Sequence, residues 1–185
     1  MPVTGEPQSA LTIEQYLETE RLDHVRHDLV GGHRHTIVET SDRHNRIVEN
    51  IFRVLASAAE DTSCHVTMRE TRLQTPDGSV YYPDVMVVCD SEPNNLSLEH
   101  KPCMIAEVVS PKTETIDRRE KWGAYNRIPS LRAYLIVDQE RERVERLFRL
   151  ESGTWLEEVQ SGSDGVFLLR CPQTHLFFTQ IYAGV

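Results

Sequence analysis

At 185 residues, with 39% apolar and 26% charged side chains, the chain can bury one sizeable core and has the make-up of an ordinary globular protein. No stretch approaches the roughly 18 consecutive apolar residues of a membrane span, and the N-terminus MPVTGEPQSA has neither the basic region nor the apolar core of a secretory signal. The net charge of −9 speaks against a broad basic face gripping duplex phosphates, and leaves nucleic-acid chemistry to a local cationic patch or to metal ions.

A cytoplasmic protein is therefore expected, with residues 1–10 as a disordered tail and residues 11–185 as one domain. Leu11-Thr12 followed by Gln15 has the form of a capping box, with Leu11 and Tyr16 as its staple, and opens a short helix to about residue 20. The segments HVRHDLV and HRHTIVE flank Gly31-Gly32, which predicts a hairpin. Ser41 is placed to cap a longer helix whose buried face carries His44, Ile47, Val48, Ile51, Leu55 and Ala59. The period then becomes strand-like: HVTMRETRLQT reads as one strand, Pro76-Asp77-Gly78-Ser79 as a turn, and VYYPDVMVV as a second strand. Residues 90–102 read as a loop.

CMIAEVV is a continuous apolar run, as expected of a strand buried on both faces, and Ser110-Pro111 stops it. A helix is predicted from near residue 117 to residue 127 with Trp122 and Tyr125 inward. LRAYLIVD is a further buried strand, RVERLFRL its hairpin partner, and WLEEVQ and VFLLR are weaker strands. Cys64, Cys89, Cys103 and Cys171 occur singly, without C-x-x-C spacing. This argues against a zinc knuckle or a disulfide framework and favours reduced, mostly buried thiols. The sum is a mixed α/β chain.

Two carboxylates stand where apolar strands have no evident use for them. Asp84 follows Pro83 at the entry of VMVV, and Glu107 interrupts CMIAEVV. Desolvating a lone carboxylate is costly, so each needs a partner. If the two meet across neighbouring strands, a divalent cation resolves both costs and can polarise a phosphate and activate water. Taken singly, each acid is more simply a solvent-facing or arginine-paired residue. Lys121, near the start of the next helix and beside its buried edge, is the candidate to hold the attacking water or stabilise the phosphorane; otherwise it is a surface lysine.

These residues belong to longer strings: Tyr82-Pro83-Asp84-Val85 with Val87-Val88, Ile105-Ala106-Glu107-Val108-Val109-Ser110-Pro111 with Thr113, Asp117 with Lys121 and Tyr125, and Tyr134 with Ile136-Val137-Asp138. Together they resemble the Uma-two family of candidate endonucleases, within the restriction-endonuclease-like superfamily that carries the PD-(D/E)XK motif. The likeness runs over roughly residues 11–183 and includes Arg26, Asp28-Leu29-Val30 and His44. It implies a restriction-endonuclease-like mixed central sheet flanked by helices. It also implies a Mg²⁺- or Mn²⁺-dependent endonuclease that hydrolyses DNA phosphodiester bonds with metal-activated water. Asp84 and Glu107 are then the metal-binding acids, and Val108 offers its backbone carbonyl to the metal. Val109 occupies the motif's lysine position, so Lys121 becomes the substitute amine. Asp28 and His44 are additional candidates, as a third acid and a proton carrier. Lys112, Arg118, Arg119 and Arg127 form the local basic cluster for DNA, unless they pair with Glu114 and Glu120 on a solvated helix. A homodimer is expected, because cutting both strands suits a symmetric pair.

The rival reading is a nuclease-like domain that no longer cleaves and acts as a binding or regulatory module; the absent in-line lysine and the acidic charge favour it. A second metal site is conceivable where His24, His27, His33 and His35 bracket Gly31-Gly32, although His24 and His27 fall on opposite faces of a strand, and a merely polar hairpin is the simpler reading. Cys-His nucleophilic catalysis and a glycine-rich phosphate loop have no support in the sequence.

Overall fold

The computed structural model describes residues 10–37, 40–90, 98–111 and 116–185. The expected tail (Ala10 apart), Lys112, Thr113 and Glu114 lie outside the described residues, as do 38–39 and 91–97.

Helix α1 (Ile13–Glu20) begins at a reciprocal cap. Thr12 Oγ1 accepts from the Gln15 N–H at 3.2 Å, and Gln15 Oε1 accepts from the Thr12 N–H at 2.9 Å. The hairpin β1 (His27–Val30) and β2 (His33–Thr36) turns at Gly31 and Gly32, whose φ values of +57° and +80° suit a primed turn that side-chain-bearing residues resist. Helix α2 (Asp42–Ala59) starts at Ser41, whose Oγ accepts from the His44 N–H at 3.1 Å. It buries His44, Ile47, Val48, Ile51, Leu55 and Ala59, the face set out by the periodicity, together with Asn50.

The next two expected strands are each broken in two. HVTMRETRLQT divides into β3 (Cys64–Thr67) and β4 (Arg72–Gln74), and VYYPDVMVV into β5 (Val80–Tyr81) and β6 (Val85–Cys89). The breaks coincide. Arg69 adopts φ +54°, a left-handed conformation that ends β3, while Pro83 cannot donate to a ladder. The Arg69 N–H then bonds the Pro83 carbonyl at 3.2 Å, tying the two corners together. As a result β3 and β6 join one sheet, and β4 and β5 another.

β7 (Leu98–Glu99) pairs parallel with β4, inside the segment expected to be loop. Strand β8 (Pro102–Val109) is followed by a π-helical turn (Ile116–Lys121) that runs directly into helix α3 (Trp122–Tyr125). Then come β9 (Ala133–Asp138), β10 (Arg143–Arg149), β11 (Trp155–Ser161), β12 (Val166–Arg170), β13 (Gln173–Phe177) and helix α4 (Phe178–Ile181); β13 and α4 had no clear signal in the sequence.

The main sheet has the order β11-β10-β9-β8-β6-β3, parallel only between β8 and β9. A parallel neighbour requires a crossover, and the π turn and α3 lie on it. Helix α2 packs on one face against Val85, Val87, Met104, Ala106 and Val108. Tyr125 and its neighbours pack on the other, against Met86, Val88, Ile105 and Val109. Apolar cover on both faces is why CMIAEVV needs no polar alternation. The expected mixed sheet flanked by helices is present. The hairpin β1–β2 belongs to a second sheet, ordered β2-β1-β5-β4-β7, and β12–β13 form a separate ribbon.

The cysteines differ from expectation. Cys64 is joined to Cys89, and Cys103 to Cys171. Strand pairing brings these residues together from distant segments, which spacing along the chain could not reveal. Among the described residues no helix is long and apolar enough to cross a membrane.

Candidate active site

The register of β6 against β8 pairs Val85 with Ala106, so the next position outward sets Asp84 opposite Glu107. Both are buried, at 8% and 2% exposure. Each acid is tied to the other's strand: Glu107 Oε2 accepts from the Asp84 N–H at 3.3 Å, and Asp84 Oδ2 accepts from the Val108 N–H at 2.9 Å. Two carboxylates drawn from adjacent core strands are thus held side by side.

Cationic and protic groups reach them from both sides of the sheet. From the crossover, the Lys121 Nζ lies 3.0 Å from Glu107 Oε1, and the Tyr125 hydroxyl donates to the same oxygen at 3.0 Å. Lys121 and Tyr125 are one helical turn apart and so share a face. From α2, His44 Nε2 sits 3.1 Å from Asp84 Oδ2. From the corner after β3, Arg69 Nε sits 3.4 Å from Asp84 Oδ1. Burial pushes the Asp84 carboxyl up, but the His44 hydrogen bond, the charges of His44 and Lys121 and the Val108 N–H outweigh it and leave the group below its ordinary range. Burial, and then the charge of Glu107, holds the Tyr125 hydroxyl well above the usual tyrosine value, so it remains a donor.

The acids open into a cavity of about 190 Å³ that also takes in Asp28, His35, Arg26, Arg69 and Tyr82. Asp28 is therefore gathered near the acid pair, with its Oδ1 accepting from the Tyr82 N–H at 3.1 Å. Val108 borders the same space. The residue at the motif's lysine position, Val109, is 3% exposed in the core.

The basic cluster is dispersed. Arg118 pairs with Glu145 on β10, and Arg127 lies 3.6 Å from Asp77 in the turn after β4. Arg119 is exposed, and Lys112 is outside the described residues. Besides Lys121, Arg69 and Arg26 border the acid cavity; in the sequence Arg26 stands out only as part of the family likeness, and Arg69 not at all. The left-handed break at Arg69 aims its guanidinium inward, and no local pattern announces such a break. Tyr125 was expected inward, but not as a donor to Glu107.

Of the hairpin histidines, His35 borders the acid cavity and stands across from Asp28 in the β1–β2 register. His27 Nδ1 lies 3.2 Å from Glu20 Oε2. Arg34 enters this group, 3.2 Å from Glu20 and in contact with Asp23, and a guanidinium balances its acids. The hairpin is polar for that reason.

An oxygen-only pair of adjacent carboxylates is the donor chemistry of a hard divalent ion such as Mg²⁺ or Mn²⁺, and the surrounding ammonium and guanidinium groups suit an anionic ligand.

Comparison with known proteins gives the same direction. The Uma2 family model, described as "Putative restriction endonuclease", matches residues 13–173. Two proteins of Synechocystis are similar: "Uncharacterized protein sll1609", 32% identical over 151 residues, covering 79% of this chain and 85% of its own, and "Uncharacterized protein slr1290", 26% identical over 152 residues, covering 81% and 80%. A crystal structure from Anabaena variabilis, titled as a "putative nuclease belonging to DUF820", superposes with a TM-score of 0.76 at 14% identity, covering 94% of this chain and 98% of that one. At that identity the likeness speaks for the fold.

Proposed function

Since this chain belongs to the Uma2 family of restriction-endonuclease-like proteins, we propose that it is a divalent-metal-dependent endonuclease acting on DNA in the cytoplasm. The observation that carries this reading is the buried Asp84–Glu107 pair with Lys121 Nζ 3.0 Å from Glu107. Asp84, Glu107 and the backbone carbonyl of Val108 would hold Mg²⁺ or Mn²⁺. When bound, the ion supplies Lewis acidity toward a phosphate oxygen and acidifies water.

The remaining roles fall to the chain's own groups. Lys121 brings the positive charge that an in-line lysine would have supplied, from the crossover rather than from β8. It steadies negative charge building on phosphorus or orients the attacking water. His44 and the Val108 N–H fix the Asp84 carboxylate, and Tyr125 fixes that of Glu107. Asp28 would serve as a third acid beside the pair, and His35 lines the same cavity. Arg69 and Arg26 would meet the backbone phosphates nearest the acids, with Arg118, Arg119, Arg127 and Lys112 as secondary phosphate contacts. Because one chain offers one acid pair, cutting both strands of a duplex asks for two copies on a twofold axis.

A plasmid-nicking assay in Mg²⁺ and Mn²⁺ tests the reading. Glu107→Gln and Asp84→Asn should each reduce nicking by at least ~10²-fold, and Lys121→Met by about 10²-fold, with circular dichroism unchanged. Nicking by Glu107→Gln at the parental rate would sink the assignment. One observation favours the non-cleaving module instead: Lys121, Arg69 and His44 already compensate the two acids. Calorimetric Mn²⁺ binding without nicking of any DNA form would support that reading.

A further inference from the structure

The four cysteines come from four separate segments and converge: the sulfurs of Cys64, Cys89 and Cys171 lie within 4.8 Å of one another, and Cys103 joins them through Cys89 and Cys171. Cys64 opens β3, Cys89 closes β6, Cys103 is the second residue of β8, and Cys171 lies in the turn between β12 and β13. All four are half-buried and packed against the main core. The two bridges are not independent of each other: Cys89 Sγ lies 3.5 Å from Cys103 Sγ and 3.3 Å from Cys171 Sγ, besides being joined to Cys64. One sulfur therefore touches all three others.

We propose that, with its thiols reduced, this cluster is a tetrathiolate site for one Zn²⁺ ion. Two cysteines suffice for a bridge, whereas four converging sulfurs make a complete structural zinc shell. With Zn–S bonds of about 2.3 Å, the edges of the tetrahedron are about 3.8 Å. The separations of 3.3 and 3.5 Å between sulfurs of different bridges are close to that spacing. Soft thiolates select zinc, whereas the Asp84–Glu107 pair offers only hard oxygens, so the two sites discriminate between ions by donor type. Opening each bridge takes two thiols of a reductant, which leave as their own disulfide with both electrons and both protons transferred. Zinc entry then displaces the four thiol protons to solvent.

The position of the cluster gives it a structural task. β6 and β8 carry the acids near one end and Cys89 and Cys103 near the other, about 13–17 Å away at the rise of a strand. Zinc there would clamp the far ends of both acid-bearing strands to β3. Through Cys171 it would also fasten the β12–β13 ribbon to the sheet. This inference is independent of the nuclease reading.

The test uses the full, untagged chain, purified with a phosphine reductant and without chelator. Elemental analysis should find one zinc per chain, and anaerobic Co²⁺ should give the thiolate-to-cobalt charge-transfer absorption and strong visible bands of a tetrahedral sulfur site. Cys171→Ser should weaken metal binding by about 100-fold or more and remove the zinc-dependent rise in thermal midpoint. If that variant does not fold, Cys103→Ser replaces it, and if neither folds the parent's metal content decides alone. Four titratable thiols that take up neither Zn²⁺ nor Co²⁺ would overturn the proposal. So would iron in place of zinc, or a fully bridged chain after acid trapping from cells.

Discussion

Glu107 is held on both of its oxygens, by Lys121 and Tyr125 on one and by the Asp84 backbone on the other. The tyrosine contributes only a donor, since its ring is anchored separately, edge-on to Tyr81 and Tyr134 with centroids 5.4 Å away in each case. Tyr125→Phe should therefore fold normally yet bind Mn²⁺ roughly 10–100-fold more weakly, the usual effect of removing an outer-shell partner; titration calorimetry measures it. A second residue-scale prediction concerns acid stability. Burial raises the Asp77 carboxyl, but hydrogen bonds from Thr75 and Ser79 outweigh it and depress the group, with Arg127 adding to the effect. A depressed folded value means stability that is present above the unfolded value of about 3.9 and is lost as pH falls through the folded one. The parent should thus exceed Asp77→Asn in urea midpoint at pH 6, with the gap narrowing as the pH falls below the unfolded value of about 3.9.

At the scale of elements, α2 matters because it delivers His44 to Asp84 from its first turn. Ser41→Ala removes the acceptor for the His44 N–H and should cost about 1 kcal/mol in chemical denaturation. The cap, the buried stripe of α2 and the two acid-bearing strands are all legible in the sequence, because each rests on local spacing. The broken strands are not. Residues 65–75 contain no glycine or proline to break them, and the turn there is marked by the tertiary contact between the Arg69 N–H and the Pro83 carbonyl. The same break carries Arg69 to Asp84, so a site residue was hidden by the misplaced boundary. The cysteine convergence escapes a linear reading for a related reason, since it depends on which strands become neighbours.

For the molecule as a whole, the charge of −9 sets a limit on how the proposed reaction can be driven. Arg118 and Arg127 are paired with acids, and the cations bordering the cavity are Arg26, Arg69 and Lys121. With about three phosphates neutralised at the cavity, log affinity for duplex DNA in EDTA should fall with log salt at a slope of about −3, steepening toward about −6 if the secondary cluster also meets phosphates. Fluorescence anisotropy across a salt series checks this. A much steeper slope would mean that the surface arginines exchange their carboxylate partners for phosphates. The mixed sheet itself was foreseeable from the apolar runs and the helical crossover after β8. Strand β12 was legible in VFLLR, whereas β13 and α4 were not, because QTHLFFTQI shows neither a clean alternation nor a helical period.

Finally, the chain contains only two tryptophans, Trp122 and Trp155, and their rings meet edge to face at 4.8 Å. Trp122 immediately follows Lys121 and stacks on Tyr134 at 6.0 Å. One indole therefore adjoins in sequence the lysine that meets Glu107 and the other touches that indole, which makes ultraviolet emission an unlabelled optical gauge of changes around Lys121.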